Sequence, residues 1–149
     1  MASVFLSRRD RETGLKNYCL HIFLNGIGFS CLTGTIVYLL AINLGANNIQ
    51  LGYISSALYI TGAFIIFVPT LFGGHRLVTS FWLLWFVRGG CCLLYLLAAI
   101  MYKSDSPWAS WILLVGYTLF AMLRNLAWPM KQTIEKILVP ANRTGKQIA

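Results

Sequence analysis

A line of polar and charged side chains near the end of the sequence is the first feature that could do chemistry. Arg124 lies within an apolar stretch, where an arginine at mid-membrane costs about 2.5–3.5 kcal/mol on insertion scales. Its guanidinium either reaches the headgroups at the membrane surface, or faces a polar cavity where it binds an anion or pairs with a carboxylate. At about 100° per residue, six positions share roughly a third of one helix circumference: Tyr117, Ala121, Arg124, Trp128, Lys131 and Glu135.

Other polar residues could line the same cavity. Amide and aromatic side chains suit a sugar, whereas Arg124 suits an anion, and the pattern leaves both solute classes open. Arg88 is expected nearer the cytoplasmic end of its helix, with its side chain extended to the headgroups. The predicted cavity residues are Asn25, Tyr38, Asn43, Arg124 and Asn125.

Patterns typical of enzymes and metal sites are missing from the sequence. It contains no G-x-S-x-G, no H-E-x-x-H and no phosphate loop, and none of its 4 cysteines forms a C-x-x-C pair. We therefore expect no enzymatic activity, no metal and no cofactor. No acidic residue lies in the first three apolar stretches, so a buried carboxylate for proton relay would have to come from elsewhere.

Four apolar stretches must position these residues. Of the 149 residues, 58% are hydrophobic and 11% are charged, whereas a soluble domain carries about 25% charged residues. A membrane-spanning helix needs about 20 apolar residues. The sequence predicts an all-α integral membrane protein with four transmembrane helices at about 18–44, 51–72, 81–102 and 109–138, an N-terminal arm at 1–17 and a tail at 139–149.

Positive charges predict the orientation in the membrane. Lysine and arginine are concentrated in the arm, in the second connection and in the tail, whereas the first connection has none and the third has only Lys103. Both termini are therefore expected to be cytoplasmic, in a plasma or inner membrane. The net charge of +8 is expected to face phospholipid headgroups and not nucleic acid, because it lies beside the apolar stretches.

The second apolar stretch has two different sides. Membrane helices approach closely through small residues. We therefore expect a small and polar side to contact protein, and a bulky side to face lipid. The first side comprises Gly52, Ser55, Ser56, Tyr59, Gly62 and Ala63; the second comprises Ile54, Leu58, Phe64, Ile65 and Val68.

The connection "LGANNIQLG" resembles the first outer loop of major facilitator superfamily transporters, at Leu44, Gly45, Ala46 and Gly52. Pro140, Arg143 and Gly145 resemble the loop that follows helix four in this superfamily, and Pro129 resembles a proline found within that helix. The sequence departs from the superfamily after helix two, where "GGHR" lacks an aspartate, and in helix four, where Gly116 takes the place of an arginine.

This resemblance implies a twelve-helix carrier of which the chain is the amino-terminal portion, with the tail leading to a fifth helix. Such carriers bind a small solute near mid-membrane and move it by alternating access, so the partners would be lipid, a solute and the C-terminal helices. It also implies a cytoplasmic latch, for which Arg76 and Glu135 are the candidates. The alternative is a complete four-helix membrane protein, acting as a scaffold or as an oligomeric exporter.

Overall fold

A computed structural model describes residues 8–72, 77–104 and 106–138, and every regular element in those ranges is a helix. Four helical spans are long and apolar enough to cross a membrane, which confirms the predicted all-α class and a multi-pass membrane protein. Spans 1 to 4 are Glu12–Asn43, Asn48–Phe72, Leu77–Lys103 and Ala109–Leu138. The α-helices are α1 (Arg8–Leu32), α2 (Thr35–Asn43), α3 (Asn48–Ile60), α4 (Val68–Phe72), α5 (Leu77–Gly90), α6 (Cys92–Lys103) and α7 (Ala109–Leu138).

Glycine and asparagine form the ends of the helices around the first connection. Gly34 separates α1 from α2 at φ 63°, and Gly45 follows α2 at φ 76°, a left-handed conformation that glycine adopts without strain. Asn47 then caps α3: its side chain accepts from the Gln50 backbone N–H, while the Gln50 side chain accepts from the Asn47 N–H. These residues account for a tight connection that contains no charge.

Span 2 changes its helical form halfway along. Between α3 and α4 it winds as a 3₁₀ helix over Thr61–Phe67. Pro69 lies two residues beyond this segment and has no N–H for the carbonyl of Ile65, so one α-helical hydrogen bond is lost at this point. A 3₁₀ stretch inside a long helix leaves backbone groups for other partners, and span 4 supplies one of them, as described below.

Span 4 is the most buried of the four spans and packs against the other three. It lies close to span 3 at Gly116, where an added Cβ would be 2.9 Å from the Cβ of Leu94 and 3.2 Å from the ring of Tyr95. Two apolar clusters lie along it. One contains Val37, Ala41, Ile54, Ala57, Tyr95, Ala98, Leu113 and Tyr117; the other contains Val68, Phe81, Leu84, Leu126, Ala127 and Met130.

The predicted sides of span 2 are wrong at several positions. Ile54 and Val68, expected to face lipid, are buried against the bundle, whereas Tyr59, expected to contact protein, is 84% exposed. Span 2 packs on span 4 through bulky apolar groups, with Ala57 as the small residue at the contact. Most of the predicted contact side remains uncovered by these four spans: Gly52, Ser55, Tyr59 and Ala63 are exposed.

Candidate functional site

Three polar residues from three different spans meet in the middle of the bundle. Asn25 lies in span 1, Arg88 in span 3 and Arg124 in span 4, and each is 11 to 18 residues from either end of its span. The Arg88 guanidinium donates a hydrogen bond from Nη1 to Oδ1 of Asn25 at 3.1 Å. At a rise of about 1.5 Å per residue, all three residues are more than about 15 Å from the nearest span end.

Arg88 is buried, so the prediction that it extends to the headgroups is wrong. Its side chain is only 4% exposed, and its guanidinium lies 4.2 Å from the ring centroids of both Trp85 and Phe120. Phe81 and Leu84 share this buried face of α5 with it, at spacings of three and four residues. That spacing, which places the arginine on the apolar inward side, is the signal in the sequence that could have identified it.

Arg124 also rests on aromatic rings. Its guanidinium lies 4.4 Å from the ring centroid of Phe29 and 5.5 Å from that of Trp128. Phe29 and Phe120 are themselves stacked, with centroids 6.5 Å apart and an angle of 18° between the rings. Each guanidinium therefore lies over one ring of a stacked pair from spans 1 and 4. The two positive charges are close enough to repel one another.

Asn25, Phe29 and Arg124 line a small cavity of about 90 Å³. Arg88 does not line this cavity but contacts two of its lining residues, Asn25 and Trp85. The side chains around the cavity are aromatic, amide or cationic, and none of the described acidic residues lines it. Trp85 contributes an indole N–H that is buried and has no hydrogen-bond partner among the described residues. The lining residues are Asn25, Gly26, Phe29, Trp85, Arg124, Trp128 and Lys131.

No family model, no curated protein and no solved structure matches this chain. The chemistry of the cavity is therefore considered from its lining residues alone. It presents hydrogen-bond donors and positive charge in a setting where water and counter-ions are scarce. An arrangement of this kind can hold an anionic or strongly hydrogen-bond-accepting group.

Glu135 connects spans 1 and 4 near the C-terminal end of span 4. Its carboxylate accepts a hydrogen bond from the Tyr18 hydroxyl, and its Oε1 lies 3.7 Å from Nζ of Lys131. The first contact links span 4 to span 1, and the second lies within span 4. Both partners of the Glu135 carboxylate are therefore close to it in the bundle. The other predicted latch residue, Arg76, lies outside the described residues, so the structure places only one member of that pair.

Asn125 has a different position from the one expected for a cavity residue. It is buried on the side of span 4 that faces span 2, where its Nδ2 donates to the Leu58 carbonyl at 2.8 Å and to Oγ1 of Thr61 at 2.9 Å. Thr61 begins the 3₁₀ segment, and its own hydroxyl donates to the Ala57 carbonyl at 2.7 Å. Asn125 therefore bonds span 4 to the irregular part of span 2.

The structure brings together two of the five predicted cavity residues, Asn25 and Arg124. Tyr38 and Asn43 are exposed on α2 and do not line the cavity. An open groove of about 630 Å³ runs along the outside of spans 1 and 3, and it shares Asn25 and Trp85 with the cavity. The cavity and the groove therefore border the same two side chains.

Proposed function

We propose that this chain forms the first four helices of a secondary transporter that resembles the major facilitator superfamily and moves a small solute by alternating access. The observation that supports this proposal most directly is the meeting of Asn25, Arg88 and Arg124 at mid-depth. Ionisable groups are costly inside a membrane, and where they occur they commonly mark a solute or ion pathway.

The uncovered side of span 2 supports a larger assembly. Gly52, Ser55 and Ala63 are exposed there, although small residues of this kind normally allow two membrane helices to approach closely. In the proposed carrier, helices of the remaining protein cover this side. In the alternative, a complete four-helix scaffold or oligomeric exporter, a second copy of the chain covers it instead.

In the proposed carrier both termini are cytoplasmic, in agreement with the positive charge at Arg9 and Lys136 near the two ends and with the single Lys103 at the opposite side. Under this orientation the contact between Tyr18 and Glu135 lies at the cytoplasmic end of the cavity. We place the protein in a plasma or inner membrane, and we propose no catalytic step for it.

Solute uptake tests the proposal. Cells that express the complete gene product are expected to accumulate one member of a panel of labelled sugars and organic anions, and Arg124→Ala is expected to reduce that uptake at least tenfold. Lys103→Ala, at the exposed end of α6, removes one positive charge away from the cavity and is the matched control. Uptake equal to that of vector-only cells for every solute, with the protein present in the membrane, would contradict transport.

Cross-linking separates the carrier from the small oligomer. With the native cysteines replaced, Ser55→Cys places one thiol on the uncovered side of span 2. The carrier proposal predicts little cross-linked dimer after mild oxidation in membranes, since helices of the same molecule cover this position. Efficient formation of a disulfide-linked dimer would favour the oligomeric four-helix protein.

A further inference from the structure

We infer that the cavity between spans 1, 3 and 4 is a binding site for an oxyanion, a carboxylate or phosphate group. Arg124 and the Trp85 indole N–H are its ligands, and Arg88 acts as a positioning residue through its contacts with Asn25 and Trp85. The inference deepens the proposed function. It rests on that function only in identifying the oxyanion as part of the transported solute. The site itself is defined by the geometry of the described residues and does not depend on transport.

Uncompensated positive charge is the first argument. Arg88 and Arg124 both contact aromatic rings, and Arg88 also contacts the neutral amide of Asn25. In the described part of the chain, neither guanidinium contacts a carboxylate. Contacts with aromatic rings offset only part of the free energy needed to bury a guanidinium, and a buried charge without a counter-charge is strongly unfavourable. Glu135, the acidic residue of span 4, contacts Tyr18 and Lys131.

Unused hydrogen-bond donors are the second argument. A guanidinium carries five N–H donors, and Arg88 uses one of its nitrogen atoms, Nη1, toward Asn25. The Trp85 indole N–H is buried and has no partner among the described residues, and Trp85 lines the cavity. A group with several lone pairs and negative charge satisfies the Trp85 and Arg124 donors that line the cavity, and the planar arginine fork matches the geometry of carboxylate and phosphate oxygens.

The size of the cavity indicates which part of a ligand it holds. About 90 Å³ corresponds to roughly three water molecules, which is enough for a carboxylate or a phosphate but not for a whole metabolite. The remainder of the ligand extends past Asn25 and Trp85 into the open groove on spans 1 and 3. Two sources share this chemistry: a soluble organic or inorganic anion, and the headgroup phosphate of an anionic phospholipid.

Calorimetric titration of the purified protein tests the site. In maltoside micelles free of phospholipid and at constant ionic strength, the protein is titrated separately with inorganic phosphate and with succinate, with sodium chloride as the reference. A second arm uses nanodiscs of phosphatidylcholine with and without phosphatidylglycerol. The variants are Arg88→Gln, Arg124→Gln and, as a matched loss of charge outside the cavity, Lys103→Gln.

We expect saturable binding in at least one arm. Affinity is expected to fall at least tenfold, about 1.4 kcal/mol, in each of the two arginine variants and less than twofold in Lys103→Gln. Binding in micelles identifies a soluble anion, and a requirement for phosphatidylglycerol identifies the lipid headgroup. If Arg88→Gln does not give a monodisperse protein, Arg124→Gln decides, because Arg124 is only partly buried.

No saturable binding in either arm, or equal affinity in wild type and the two arginine variants, would overturn the inference. Failure of the proposed function is a separate result. Anion binding without uptake of any solute leaves the site intact and removes transport. Uptake of a neutral solute that is unaffected by both arginine substitutions retains transport and removes the oxyanion as its substrate.

Discussion

At the scale of single residues, the burial of Arg88 depends on where its helix begins and on which face of that helix it lies. Arg124 and Asn25 were identified from their polarity in apolar stretches, and the structure places both at one cavity. Arg88 was assigned to the membrane surface because its helix was expected to begin at Phe81. The helix begins at Leu77, so Arg88 is a full turn deeper, and its position on the face of Leu84 points it inward.

Asn125 illustrates a second limit of the sequence at this scale. Its polarity was visible, but its partners, the Leu58 carbonyl and the Thr61 hydroxyl, come from a part of span 2 that is more than 60 residues away. Whether an amide in a membrane helix faces a solute or another helix depends on packing between helices. No local pattern near Asn125 contains that information.

These contacts predict a specific loss of stability. Asn125→Ala removes two hydrogen bonds between spans 2 and 4 and leaves the Leu58 carbonyl with one partner fewer, so we expect the free energy of unfolding to fall by about 1–2 kcal/mol. Titration with denaturing detergent, followed by circular dichroism, measures the change. Gln132→Ala, an exposed amide on the same helix, is the control and is expected to differ from wild type by less than 0.5 kcal/mol, or roughly the scatter of surface substitutions.

A double-mutant cycle assigns that loss to the contact itself. Asn125→Ala combined with Thr61→Val should destabilise the protein by less than the sum of the two single substitutions, because each removes the same hydrogen bond. Strict additivity would mean that Asn125 stabilises the bundle in some other way.

At the scale of helices, length and apolar composition were sufficient to predict four spans. The breaks inside spans 1 and 2 were not predicted, because they depend on one left-handed glycine, Gly34, and on one proline, Pro69, that follows the 3₁₀ segment. Within these four helices, the side of span 2 that packs on span 4 carries Ile54 and Val68 and is not the small-residue side expected from the sequence.

Gly116 shows how close spans 3 and 4 are. A Cβ at this position would lie 2.9 Å from the Cβ of Leu94, and neither atom can move without moving its helix. We therefore expect Gly116→Ala to lower the free energy of unfolding by about 1–3 kcal/mol, as overpacked substitutions do, even though alanine favours the helical conformation.

Gly89→Ala is the matched control for this prediction. Gly89 is also helical, and an added Cβ there meets no atom within 4 Å, so stability is expected to stay equal or to rise by up to about 1 kcal/mol through helix propensity. The same detergent titration compares both variants with wild type. Equal stability of Gly116→Ala and Gly89→Ala would show that spans 3 and 4 do not approach as closely as the structure indicates.

At the scale of the whole molecule, four spans that each cross once return the chain to the side on which it began. The connection from Asn43 to Asn48 and the one after Lys103 then share one side of the membrane, while Arg9 and Lys136 share the other. Positive residues are retained on the cytoplasmic side, and they are concentrated at the two ends of this chain. Both termini are therefore expected to lie on the cytoplasmic side of the membrane.

Accessibility of single cysteines tests this arrangement. In a variant without native cysteines, Asn48→Cys and Ser104→Cys are expected to react with a membrane-impermeant maleimide in intact cells, whereas Arg9→Cys is expected to react only after permeabilisation. All three positions are exposed in the structure, so a difference in labelling reports the side of the membrane and not burial within the bundle. Labelling of Arg9→Cys in intact cells would reverse the orientation, and with it the assignment of the contact between Tyr18 and Glu135 to the cytoplasmic end of the cavity.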